Sequence, residues 1–137
     1  MSSSVAGALK AALESAGLGV AVFADSAPAR AALPNIVIHE AISVTPEPAF
    51  NPPTDPTGHV SELAQVDVWQ QWRDQTTRAV TESKSLPTAV ARALHGVRLP
   101  TAPTLVFETR VDGWRRLLEE ANNIVHHAMT VRLRRLM

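Results

Sequence analysis

The chain has 137 residues, 45% of them hydrophobic, 19% charged and only 4% aromatic, which suits about one globular domain with few bulky core side chains. Thirteen Lys and Arg balance thirteen Asp and Glu, so no global field draws the protein to nucleic acid or an anionic membrane. The absence of cysteine removes disulfides, thiolate zinc sites and cysteine nucleophiles together.

The N-terminal stretch lacks a basic region followed by a continuous apolar block, and Lys10 and Glu14 interrupt it, so it does not read as a signal peptide. No apolar run approaches the roughly 20 residues that span a bilayer. The expectation is a soluble protein made in the cytoplasm. Val5, Ala8, Leu9, Ala12, Leu13 and Ala16 recur at helical spacing, with serines ahead to cap the start and Gly17 or Gly19 to end it. "VAVF" at 20–23 fits either a short strand or an extended connection, and "DSAPARAALP" reads as loop.

"NIVIHEAISV" at 35–44 is rich in β-branched residues and reads as a strand, with Ile36, Ile38, Ile42 and Val44 on the buried side. A proline-rich loop at 46–58 follows. "HVSELAQVDVWQQW" at 59–72 alternates again, Ala64, Val66 and Val68 facing one way and Leu63, Gln65, Asp67 and Trp69 the other. Strands joined without a helix are usually antiparallel neighbours.

Residues 73–96 read as helix, with Asp74 as its cap and Gly96 as its stop. Pro87 falls inside, which favours two pieces with Ser85 capping the second. A strand is expected at 104–111, "VDGW" reads as a turn, 114–120 stays open between strand and helical turn, and a last strand covers 124–135. The order α, β, β, α, β, β describes a single α+β domain over 1–137, an antiparallel sheet of about four strands with helices on one face.

Chemistry-bearing constellations are sparse. His126 and His127 are adjacent on a strand and point to opposite faces, and His39, His59 and His95 show no ligand spacing, so no metal or other cofactor is expected. Glu40 on the isoleucine face and Asp67 on the next strand are the candidate carboxylates for a small enzyme. An ion pair with Arg132 or Arg134 is the more economical reading. No nucleophile elbow or glycine-rich phosphate loop occurs. Arg132 and Arg134 form a basic stripe with His126, Ala128 and Thr130, suited to phosphate or to acids across the sheet, Asp67 or Glu62. Trp69 and Trp72 are costly side chains in an aromatic-poor chain. Trp69 lies away from the valine face, where an exposed tryptophan suits a protein interface.

Taken in order, "ALKAALESAGLG", "LPNIVIHEAISV", "ELAQVDVWQQWRDQTTRAV", "VARALHGVRL" and "HHAMTVRLRRL" resemble the tail terminator, or tail-completion, family of long-tailed bacteriophages, most specifically at "QVDVWQQWRDQTTRAV". The resemblance implies a non-enzymatic virion protein assembled in the host cytoplasm. It implies a homo-oligomer, a hexameric ring at the head-proximal end of the tail. The ring would stop growth of the tail tube protein and receive the neck or head-completion protein, with genomic DNA passing through its lumen without specific binding. Another ring-forming neck or tail tube component is the alternative. Under this reading the proline-rich loop is a stiff arm, with Phe50 and Asn51 reaching a neighbouring subunit or the tube. Trp69, Trp72, Arg132 and Arg134 are the other candidate interface residues.

Overall fold

A computed structural model describes residues 5–28, 31–47, 59–99 and 106–136. The chain folds as α+β, two helices packed against one five-stranded, mostly antiparallel sheet. Helix α1 covers Val5–Ser15, and strand β1, Ala21–Ala24, lies parallel to β2, Asn35–Glu47. Strand β3 covers His59–Gln71, helix α2 Ser85–Leu94, strand β4 Val106–Glu119 and strand β5 Ile124–Leu136. Spatial order across the sheet is β1-β2-β3-β5-β4.

The expected amphipathic spacing of α1 is realised: Val5, Ala6, Ala8, Leu9 and Leu13 are buried, and Gly17 and Gly19 leave the helix with positive φ. With Val90 and Leu94 of α2 they cover Ile36 and Ile38 of β2, Ala64, Val66 and Val68 of β3, and Met129, Val131 and Leu133 of β5. Burying each such leucine, isoleucine or valine stabilises the fold by about 1.5–3 kcal/mol before ordering costs. The alternation in the sequence therefore correctly assigned the core face of β3, of β5 and of β2 at Ile36 and Ile38; the side chains of Ile42 and Val44 lie outside the described residues.

Four expectations are corrected. The sheet has five strands rather than about four, because "VAVF" supplies the parallel edge strand β1. Pro46 and Glu47, assigned to the loop, sit in the β2–β3 ladder opposite Val60 and His59; Phe50 and Asn51 lie outside the described residues.

Residues 73–84 form no helix. Asp74 Oδ1 accepts the N–H groups of Thr76 and Thr77 at 2.8 Å each, Arg78 turns with φ 61°, and Arg73 bridges Val80. The side-chain oxygen that would cap a helix instead closes a tight turn, a competition open to Asp before β-branched Thr residues. Only the second piece is helical. Ser85 is its first residue rather than its cap, and Pro87 occupies the first turn, where no donor is needed.

"VDGW" is not a turn between elements but a bulge inside β4, which continues through 114–119. Val111 faces Val131 and Gly113 faces Thr130, so β4 carries one extra residue there, with Gly113 at φ 144°. A positive-φ glycine serves a bulge as readily as a turn. A short 3-10 turn, Glu120–Asn122, and left-handed Asn123 make the reversal into β5.

Candidate interaction surface

Helices cover one face of the sheet, and its other face carries the polar side chains of the alternating strands. Opposed residues of an antiparallel ladder share a face. His39, Gln65 and Thr130 fall together on this one, as do Asp67 and Ala128, and Trp69, His126 and Leu117. No helix among the described residues packs there.

Asp67 is the centre of this face. It is only 3% exposed, because its neighbours on three strands close over it. His39 Nε2 lies 2.7 Å from Oδ2, and Gln65 Nε2 donates to Oδ1 at 2.8 Å. His126 Nε2 approaches Oδ1 within 2.8 Å, but obliquely, outside hydrogen-bonding geometry. Trp69 then lies flat on the His126 ring, centroids 4.0 Å apart and planes 6° apart. A buried carboxylate needs such partners to offset its lost hydration. Both oxygens of Asp67 are thus engaged within the chain.

Glu40 does not join it. Its Oε1 accepts the Ala6 N–H at 3.3 Å, one of the amides in the first turn of α1 that has no partner inside the helix. Neither carboxylate meets an arginine, contrary to the sequence reading. Arg132 pairs with Asp112 and Arg134 with Glu108, both on β4, at 3.3 and 3.4 Å. Asp112 and Glu108 were missed as partners because β4, not β3, flanks the arginines on that side.

The candidate interface residues are spread along the face rather than clustered. Trp69 faces His126, while Arg132 faces Leu63, six residues along β3 and roughly 20 Å away. Trp72 lies just beyond β3, half-buried, with the Arg73 guanidinium 4.6 Å from its ring and its backbone N–H donated to the Asn123 carbonyl. Near the bulge an open groove of about 340 Å³ is lined by Gln65, Gly113, Trp114, Arg115 and Thr130 among others.

A second charged cluster, absent from the sequence reading, lies on the helix side. Arg116 donates Nε and Nη2 to Glu82 at 3.0 and 2.7 Å, and His127 Nε2 is 3.4 Å from the same carboxylate. The Arg116 hydrogen bonds hold the Glu82 carboxyl below its ordinary value, burial opposing them, and the same pair raises Arg116. Burial pushes His127 down, with Glu82 opposing. His126 and His127 point to opposite faces, as expected, and each meets a different carboxylate. Among the described residues no group of His, Asp and Glu is arranged to hold a metal ion, and no helix is long and apolar enough to cross a membrane.

No protein-family model matches the chain, and no curated protein matches it. Among solved structures, a chain of "Virion of native gene transfer agent (GTA) particle" superposes with a TM-score of 0.72, over 98% of this chain and 96% of that one, at 15% identity. At that identity the likeness is one of fold.

Proposed function

We propose that the chain is a structural protein of a phage-like particle and acts as its tail terminator. In this reading it forms a ring, hexameric by the family resemblance, that caps the head-proximal end of the tail tube and receives the neck or head-completion protein. The observation that carries the proposal is the end-to-end likeness of fold to a chain of a virion particle. The segment order and the "QVDVWQQW" run, which covers the second half of β3 and one residue beyond it, support it independently.

The site chemistry agrees with a protein that binds and does not turn over. Asp67 has both oxygens engaged and Glu40 serves a helix end, so neither is presented as a base to a substrate. The open sheet face, with Trp69, Arg132 and Arg134 along it, is instead a surface for contacts with other virion proteins, to which Phe50 and Asn51, outside the described residues, are proposed to add. DNA in the lumen would meet at most sequence-independent electrostatics.

The test is a tail preparation made without this protein and viewed by electron microscopy. Tubes of uncontrolled length are expected, and adding the purified chain should restore a fixed length. Absence of tubes altogether would point to the other reading, a tube component. Tubes of normal length that fail to join heads would point to a different neck protein. Phe50→Ala should leave the fold intact and weaken assembly.

A further inference from the structure

Among the described residues strand β4 ends the sheet on one side, with β5 as its only neighbour in the ladder. A long open edge invites pairing with another strand unless something covers it. Near its start the chain does cover it: the Gly96 N–H donates to Thr109 O at 2.7 Å, and the Val111 N–H donates to His95 Nδ1 at 3.1 Å. After the bulge at Gly113 no such cover is seen among the described residues. Trp114 and Leu117, two of the four exposed large hydrophobic residues among those described, follow on the uncovered half at 42% and 40% exposed.

The sequence of that half is self-complementary. Residues 115–119 read Arg-Arg-Leu-Leu-Glu, basic at one end and acidic at the other. Laid antiparallel against a second copy with Leu117 opposite Leu117, each Arg115 stands opposite the other copy's Glu119. All three side chains alternate onto the open face, because Arg115 and Leu117 share the face of Ala128 and His126 and Glu119 is two residues on. Arg115 has no charged partner among the described residues, and Glu119 meets only the Asn122 side chain, at 3.4 Å. Arg116 is already committed to Glu82 on the other face and does not compete.

We infer that the uncovered half of β4 pairs antiparallel with the same segment of a second copy, giving a two-fold contact closed by two Arg115–Glu119 pairs around Leu117. The 3-10 turn at Glu120 limits the pairing to about five residues on each side, which puts the contact at the weak, reversible end of protein interfaces. Such a contact is isologous. It goes beyond the ring and does not depend on it, since it requires only two copies of the chain.

Sedimentation velocity over a concentration series tests it, with Arg115→Glu, Glu119→Arg and the double variant. Both positions are exposed, so folding should be unaffected, as circular dichroism will report. The wild type should show a concentration-dependent step in mass. Each single variant places like charges opposite one another twice and should need about tenfold or more protein to reach it. The double variant should recover. Mixing the two single variants should recover it too: one copy then carries acid at both positions and the other carries base at both, so opposite charges meet at each end of a mixed pair. A wild type without the step overturns the proposal, as do single variants that match the wild type or a mixture that stays as weak as its components. None of these outcomes bears on tail length, so this inference and the terminator reading fail separately.

Discussion

Trp69 lies flat against His126 across the β3–β5 ladder, 4.0 Å between ring centroids, and His126 in turn reaches the carboxylate of Asp67. The tryptophan is therefore part of the sheet's own packing before it is anything else. Trp69→Ala should destabilise the protein by about 1–3 kcal/mol in urea unfolding, from the lost stack and apolar contact. Trp69→Phe should cost less. If Trp69→Ala leaves the unfolding midpoint where it is and only assembly suffers, the residue is an interface anchor and the stack is incidental.

Asp67 ties together side chains from β2 and β3. Asp67→Ala removes the acceptor shared by His39 and Gln65 and should cost about 1–3 kcal/mol. Asp67→Asn keeps one acceptor oxygen and should recover part of that loss. Chemical denaturation of the two variants, compared with wild type, measures the difference.

Acid should weaken the fold in two stages. His127 is held below its ordinary value of 6.5 by burial, so the unfolded chain binds a proton there first. That contribution is full above about pH 6.5 and is lost as pH falls towards the folded value. Glu82, held below its ordinary 4.5 chiefly by Arg116, adds stability that is full above that value and is lost at still lower pH. Thermal melts between about pH 8 and pH 3 should show both limbs. His127→Gln should remove the upper one, and Glu82→Gln the lower.

Arg132→Ala and Arg134→Ala should each change stability by less than about 1 kcal/mol, because both pairs are exposed and exposed pairs contribute little. A clear loss of assembly without loss of stability would place these arginines at a contact between virion proteins.

The parts of this fold that the sequence announces are those in which one short-range rule decides the outcome. Ile36, Ile38, Val66 and Val68 alternate because one face of their strands is buried, and the spacing of Leu9 and Leu13 places them on one side of α1. The 73–84 segment misled because Asp74 signals a helix cap and a tight turn equally, and the choice falls to Arg78 and the Arg73–Val80 bridge. Asp67's partners were hidden for another reason. His39 and His126 lie 28 and 59 positions from it, and only the strand order brings them to one carboxylate.

Gly113 decides which residues of β4 face the open side. Ahead of it Val111 stands opposite Val131; after it Trp114 stands opposite Met129, one residue out of step. Were Gly113 kept but paired one-to-one with no bulge, Arg116 would turn away from Glu82, and Arg115 and Leu117 would leave the open face, since a shift of one flips every later side chain. Space around Gly113 is free, but its φ of 144° is one that other residues rarely adopt. Gly113→Ala should therefore cost about 1–3 kcal/mol through backbone strain alone. Deleting Gly113 should do something different in kind. The ladder can then close regularly, with Asp112 opposite Thr130 and Trp114 still opposite Met129, so the Arg116–Glu82 pair and the low-pH limb of the stability profile should be kept. Hydrogen exchange across 112–119 and the pH series together separate the two effects. A deletion variant that loses the Glu82 limb would show that the strand beyond the bulge does not keep its register.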